Sequence, residues 1–578
     1  MENEKEISIV ADEIEKNTGE QPTKLFPKLN LSNPWLTIAS VLLAAIGLML
    51  LWWKFEKLGL RWPISVLIVG ATMAVNALIQ EYKIHASSIF LFLIALATSL
   101  IPTFRSEGVT IAISMFATII LLTLFVADFF NGQWWQYRIR EYFLTFFMSI
   151  PAFFIGMPVL FHQGVQYSKL GSGADKNKKI AFGILKGVLI ALPVLIALPV
   201  LIVFISLFSS ADLIFQDKLG HLMDWLRNES LKDITSRFWS TLAFAIVASA
   251  GIWLAFNNDA RKAKIEPDKA LWKPFLGMTE TSIVLISVNL LFAFFLAIQF
   301  KYFFAGEANV SSTGFTYAEY ARKGFVELLF VASLAGLLYY SLASCTRRES
   351  PKQRNTFAIL GGLLLAQVMV VLVSAHQRIL LYTYRHGQTE IRLVPKIFIY
   401  FLAAILISLV VMEWKKQFKR LALVLLTALT LFSLTLAVVN IDRSIARTNV
   451  ERALAGEKLD YNLLVTRLSN DAVPYLYEVL DSRQLSKEQQ VNLSKVLVCR
   501  AHRFESDSPQ DQGLDWNNSW TQAQAGHFFH QELIKQFPLE ELSYEKYNPF
   551  FDDNIDYSIG HNLGFVIDGN EIFCRYED

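Results

Sequence analysis

Long apolar runs separated by short polar connections dominate the chain. About 20 apolar residues cross a bilayer as a helix. On that measure the pattern predicts spans near 35–53, 61–79, 87–104, 109–130, 183–209, 237–256, 281–304, 323–344, 355–374, 394–412 and 420–440. Trp52, Trp53, Trp62, Trp134 and Trp135 flank these runs at the depth tryptophan prefers. The run at 142–161 is also apolar enough to span. Pro151 and Pro158 interrupt it, and each proline removes a helix hydrogen bond, so the reading leans to an interfacial or re-entrant helix there. Pro193 and Pro199 predict a kink in 183–209 that neighbouring helices can accommodate.

After about Asn440 the alternation becomes that of a soluble domain. Residues 460–480 read as two short amphipathic helices broken near Ser469-Asn470-Asp471, with Leu463, Leu464 and Leu468 facing one way and Val473, Leu476 and Leu480 likewise. Residues 486–502 read as another helix, with Ser486 as N-cap and Val491, Leu493, Val496 and Leu497 on its apolar side. Residues 526–537 suggest a fourth. GFVIDG and EIFCRY around Asp568-Gly569 carry a hairpin signal. The expected fold is therefore all-α. A polytopic helical membrane bundle of 11–12 spans precedes a small, mainly helical, extracytoplasmic C-terminal domain. The expected divisions are a flexible tail at 1–32, N-terminal membrane helices at 33–182, a membrane core at 183–440 and the soluble domain at 441–578.

Composition agrees with the pattern. The 578 residues are 53% hydrophobic and 18% charged, with 45 Phe and 13 Trp, and mean hydropathy is +0.37. Soluble domains carry about 25% charged residues. The net charge of +2 gives no reason to expect nucleic acid as a partner. Three cysteines exclude a disulfide-rich scaffold, and no zinc-type spacing occurs. GSGADKNKK at 171–179 fails the phosphate-loop spacing and reads as a solvated loop. The N-terminus lacks the basic and short apolar regions of a cleaved leader.

The placement of charge orients the chain. Lys169, Lys176, Lys178 and Lys179 fall in one connection, and Arg261, Lys262, Lys264 and Lys269 in another. Arg347, Arg348, Lys352 and Arg354 fall in a third, and Lys415, Lys416, Lys419 and Arg420 in a fourth. All four can be cytoplasmic together. That puts about 210–236, 305–322 and 375–393 outside, with everything after Asn440. If 142–161 does not span, there are 11 spans and the tail is cytoplasmic; if it does, there are 12 and the tail is outside. With the soluble domain outside, a Cys499–Cys574 disulfide and two unlinked cysteines are equally ordinary.

Two polar stretches then face the same side. In 374–392, Arg378, Tyr382, Arg385, Thr389 and Arg392 recur at spacings of four, three, four and three, one face of a helix or helix-like hairpin. In 314–327, Glu319, Lys323 and Glu327 are spaced i, i+4, i+8, with Arg322 beside them. Charge beside hydrocarbon needs a partner or a task. Glu327 or Glu319 is expected to pair with Arg378 or Arg392. Tyr317, Tyr320, Tyr382 and Tyr384 would lie at headgroup depth, and Asp212, Asp442 and Arg443 could join. A balanced cluster would lock helix ends together; surplus arginine would bind an anion or headgroup. Asn76, Asn289, Gln299 and Gln367 are expected to bond across helices, and Asp128 to face the interface. His376 has no second ligand. No catalytic or metal constellation can be assigned, no cofactor is implied, and the balance is against an enzyme.

FTYAEYARKGFVELL at 315–329 and SAHQRILLYTYRHGQTEIRL at 374–393 resemble segments of a bacterial integral-membrane family catalogued as domain of unknown function 4173, related to 4153. The family core of arginine-glycine-phenylalanine-x-glutamate reads here Lys323-Gly324-Phe325-Val326-Glu327. Its second pattern reads Arg378, Tyr382, Gly387, Thr389 and Arg392, with Glu390-Ile391 where a more basic or apolar pair is expected. ILKGVLIALPVLI at 184–196, SSAD at 209–212, ARTNVERAL and LSNDAVPYL are similar as well, so the resemblance covers about 180–480. It implies a bacterial envelope protein and transfers no activity; the expected location is the bacterial inner membrane, crossed many times. The function reading is outward-facing anion, headgroup or small-ligand recognition in transport or sensing. The alternative is a membrane scaffold whose 441–578 domain recruits an envelope partner. A membrane transferase acting on lipid-linked substrates is the weakest of the three.

Overall fold

The computed structural model describes residues 31–53, 58–170, 229–257, 274–304, 325–482, 484–506, 564–567 and 570–573. Eleven helices among them are long and apolar enough to cross a membrane. In chain order these are α1 (Pro34–Trp52), α2 (Arg61–Ile79), α3 (Ala86–Ser99, prolonged by a turn to Phe104), α4 (Gly108–Ala127), α5 (Ile139–Leu170), α6 (Glu229–Phe256), α7 (Met278–Phe304), α8 (Phe325–Cys345), α9 (Pro351–His386), α10 (Glu390–Lys415) and α11 (Leu421–Val439). The expected 183–209 span, the 526–537 helix and the loops at 210–228 and 305–324 lie outside the described residues.

Local chemistry sets the helix starts. Asn33 caps α1 by accepting from Leu36 N, with Pro34 at the first position, where its missing N–H costs nothing. Ser350 and Gln353 form a capping box on α9 ahead of Pro351. The buried Glu107 caps α4 by accepting from Val109 N at 2.6 Å and Thr110 N at 2.8 Å. Inside the bundle the amides bridge helices as expected. Asn76 Nδ2 donates to Ser40 Oγ at 2.8 Å, Asn289 Nδ2 to Leu360 O at 3.0 Å and Gln367 Nε2 to Asn289 O at 3.2 Å. His376 packs edge-on against Tyr400.

Contacts at the helix ends sort the connections onto two faces. On one face Arg105 Nε donates to Ala437 O at 2.6 Å, joining the start of α4 to the end of α11. Thr103 Oγ1 reaches Gly59 O, Asp471 reaches Ser106, and Asn449 reaches Gln388 on the same side. On the other face Ser32 N donates to Gln80 Oε1, Tyr82 packs on Phe130 and Phe256, and Arg348 pairs with Glu413 at 2.8 Å. That second face carries Arg347, Arg348, Lys352 and Arg354 and the Lys415–Arg420 connection, two of the four basic loops.

The α5 helix differs from the other ten. Pro151 and Pro158 lie inside it without breaking it. Its start is anchored on the basic face, where Tyr142 OH donates to Trp134 O and the Trp134 indole donates to Ser87 O. Gly164, near its other end, lies against Trp35 and Ile38 at the start of α1, on that same face. The helix is long and apolar enough to span, and its contacts at Trp134 and Gly164 both lie toward the basic face. Asp128 does not simply face the interface. It is 1% exposed and accepts from Trp134 N and Tyr137 OH, pinning the turn that launches α5.

Asn440, at φ 50°, ends α11 and caps the next helix, α12 (Ile441–Leu454), by accepting from Arg443 N. The chain then forms a five-residue π-helical segment (Leu463–Arg467), a 3-10 turn (Asn470–Ala472), α13 (Val473–Asp481) and α14 (Lys487–Ser506). Ser486 caps α14 with Gln489 as its reciprocal partner. Leu493, Val496 and Leu497 are buried as expected, whereas Val491 is 43% exposed because it falls on the opposite helix edge. The hairpin signal is realised as β1 (Gly564–Ile567) antiparallel to β2 (Asn570–Phe573). The core of this domain is continuous with the bundle: Phe432 and Leu436 of α11 share one cluster with Ile445, Leu464, Val473 and Leu497.

Candidate functional site

The 374–392 stripe is mostly helical, because α9 continues through it to His386 before the chain turns at Gly387. At about 1.5 Å per residue, α9 is about 54 Å long, well beyond the ~30 Å hydrocarbon thickness. It is thus long enough for its polar end to continue as a helix beyond the hydrocarbon, still packed through Ile379, and the connection to α10 is only Gly387 to Thr389. Arg378 is 9% exposed, and its Nη2 donates to Gln299 Oε1 of α7 at 2.6 Å. The Arg392 guanidinium stacks 4.1 Å above the Tyr382 ring and donates to the His386 and Gly387 carbonyls that end α9. Arg385 and Tyr384 are exposed on the outside of this turn.

Of the two expected carboxylate partners, only Glu327 lies among the described residues. Glu327 lies in the first turn of α8, is exposed, and makes no ion pair with Arg378 or Arg392. Glu319, Arg322, Tyr317, Tyr320 and Asp212 lie outside the described residues. Among the described residues the stripe is brought together with the soluble domain instead. Gln388 N donates to Asn449 Oδ1 and Asn449 Nδ2 donates to Gln388 O, both at 2.8 Å, so one side chain of α12 pairs with the turn as a strand would. Cys345 is free and Cys499 is disulfide-bonded, while Cys574 lies outside the described residues.

A second cluster, which the sequence pattern largely missed, lies on the same face. A cavity of about 560 Å³ is lined by Phe104 and Arg105 of the α3–α4 loop, Val438 and Val439 of α11, Asn440, Arg443, Ser444 and Arg447 at the α12 end, and Asp471 and Pro474 of the soluble domain. Three arginines face one carboxylate. That carboxylate is heavily engaged: Asp471 is 1% exposed and accepts from Ser106 N at 3.1 and 3.3 Å and from Ser106 Oγ at 2.7 Å. Burial holds the Arg105 pKa below its ordinary value, and nearby Arg443 adds to this against the pull of Asp471. Arg443 and Arg447 are one turn apart on one face of α12. Their carboxylate partners, Glu478 at 3.9 Å and Glu451 at 2.8 Å, form exposed pairs of the kind worth about 0–1 kcal/mol.

Beside the cavity, Asp442 is 2% exposed and accepts from Ser469 N at 2.6 Å. Burial raises its pKa to about 6; the Ser469 bonds oppose this, and Glu107 and Asp471 add to it. Arg500 is 5% exposed and donates to the carbonyls of Leu464, Leu468 and Ser469 at 2.6, 3.0 and 2.6 Å, closing the π-helical segment. Of these residues the sequence pattern had marked only Asp442 and Arg443. The signal for Arg105 was available: a lone arginine in a short connection on the side away from the basic loops. Asp471 carried none, since it meets Ser106 across 365 positions. No group of histidine, cysteine or carboxylate side chains among the described residues is arranged to hold a metal.

The model of the family described as Domain of unknown function (DUF4153) matches residues 89–479. It is the relative of the family whose segments the two polar stretches resemble, and the match extends further toward the N-terminus than those segments. Comparison with curated proteins and with solved structures gives no match.

Proposed function

The chain belongs to the DUF4153 family of unknown function, and we propose, from the geometry, that it is a multi-pass membrane protein recognising an anionic ligand on its outer face. The observation that carries this reading is a cavity lined by three arginines, two of which, Arg443 and Arg447, hold only exposed carboxylates, while the carboxylate in its wall is already bonded to Ser106. Cavities of ligand-binding size span about 300–1,000 Å³, and this one falls within that range. The 374–392 stripe supports the structural reading instead, since Arg378 and Arg392 are engaged with an amide, two carbonyls and a ring. Recognition and locking are thus divided between two clusters on one face.

The orientation follows the positive-inside tendency: the face with the basic loops is cytoplasmic, and the arginine cavity and C-terminal domain lie outside. Residue 164 is on the basic face, while the start of α6 is on the other, where Arg237 stacks on Trp53. The apolar 183–209 run is the sequence's candidate for the odd crossing this requires, giving 11 spans and a cytoplasmic N-terminal tail. A bacterial inner membrane fits this arrangement. The disulfide at Cys499 supports an oxidising side for the domain, and Cys574 is its proposed partner.

The test is an unfolding series in neutral detergent with anions added, both lipid and water-soluble. At least one anion should stabilise the wild-type protein more than an Arg105→Gln/Arg443→Gln/Arg447→Gln variant. If every anion acts equally on both proteins, the cavity is not a recognition site.

A further inference from the structure

We infer that the ligand of this cavity is an anionic phospholipid of the outer leaflet, its phosphate held by Arg105, Arg443 and Arg447 and its chains lying along Phe104 and Val438. The inference rests on the anion reading above and adds the chemical class. Depth is its first support. Phe104 and Val439 are the last residues of two spans, and Arg105 and Asn440 follow at once. The first guanidinium thus emerges where hydrocarbon ends, the level of lipid phosphates. Arg443 and Arg447 rise from there along α12.

The second support is the apolar rim. Val438 is 81% exposed and Phe104 is 49% exposed at the cavity edge. A water-soluble anion has no use for such a rim, whereas a lipid places acyl carbons against it while its headgroup meets the arginines. The third is competition. The carboxylates now beside Arg443 and Arg447 are exposed, with side chains 70% and 55% accessible. A lipid phosphodiester presents two charged oxygens as each of these carboxylates does, guanidinium geometry matches it bidentately, and the pairs it would replace are exposed ones worth about 0–1 kcal/mol.

The experiment titrates the full-length protein in neutral-detergent micelles with a short-chain phosphatidylglycerol, with phosphatidylcholine of the same chains, and with glycerol 3-phosphate. Phosphatidylglycerol should bind most tightly. Each basic residue near a membrane surface is worth about 1 kcal/mol, or about fivefold in affinity. The Arg443→Gln/Arg447→Gln variant should therefore bind about 25-fold more weakly. Both residues are exposed, so this variant is expected to fold. Equal binding of glycerol 3-phosphate, with the same dependence on the two arginines, would overturn the lipid assignment and leave the anion reading standing. Equal binding of phosphatidylcholine would remove the charge argument. No arginine-dependent binding of any probe would overturn both readings.

Discussion

Replacing Gly387 by alanine tests how the polar end of α9 is held to the soluble domain. Gly387 sits at φ 79°, ψ 174°, a region essentially reserved for glycine, where a side chain costs about 1–3 kcal/mol. The added Cβ would lie 2.5 Å from Asn449 Oδ1 and 2.7 Å from Arg452 Nη1, closer than carbon can approach either atom. The Arg452 tip can swing aside. Asn449 cannot move without losing its two hydrogen bonds to Gln388, each worth about 1 kcal/mol. Alanine also narrows the unfolded ensemble, which returns about 0.4–1 kcal/mol. The net expectation is a loss of about 2–5 kcal/mol, taken from these terms. The assay is equilibrium unfolding in mixed micelles, with Gly362→Ala as control. Gly362 is inside α9 with nothing within 4 Å of its Cβ position, so alanine there should be neutral or stabilising by up to about 1 kcal/mol. If Gly387→Ala unfolds together with wild type and the control, the turn does not hold the domain.

The pKa of Asp442, raised to about 6, makes stability depend on pH. The folded state keeps a proton that the unfolded chain, with its ordinary carboxylate near 4, releases, so stability is greatest below pH ~4 from this group and falls as pH rises to about 6. Two units correspond to about 3 kcal/mol at most. Asp442→Asn, which still offers an acceptor to Ser469 N, should flatten that slope in unfolding curves between pH 4 and 7. An unchanged slope would mean that another group carries it. Arg500→Met removes the donor for three buried carbonyls and should destabilise the domain by about 3–5 kcal/mol. Limited proteolysis should then cut after residue 440 while leaving the bundle intact; wild-type resistance would show that Arg500 is dispensable.

The bundle was legible because its signal is coarse. A run of some 20 apolar residues survives errors of several positions, and the observed starts differ little from those expected. Finer features depended on where a helix stops, which hydropathy does not report. The charges of 378–385 mark the end of hydrocarbon, yet backbone hydrogen bonding continues through them until Gly387, the first residue that favours a turn. Pro151 and Pro158 were expected to interrupt an apolar run. They remove isolated hydrogen bonds from α5 without ending it, and the contacts of α5 at Trp134 and Trp35 are ones no local pattern reveals.

The stripe and the cavity differ for a physical reason. The same argument applies to both arginine clusters: a guanidinium near hydrocarbon must find acceptors. In the stripe the acceptors are an amide side chain of α7 and the carbonyls and a ring at the end of α9, which hold Arg378 and Arg392 in place. In the cavity Arg105 likewise holds a helix-end carbonyl, that of Ala437, and Asp471 is committed to Ser106, but Arg443 and Arg447 hold only the exposed carboxylates of Glu478 and Glu451. Charge density along the sequence is higher in the stripe, so sequence reading favours it. Exchangeable charge is higher in the cavity, because at Arg443 and Arg447 an incoming anion would replace weak exposed pairs rather than buried bonds. Ligand recognition follows the second quantity, and that quantity depends on which acceptors the fold brings to each arginine.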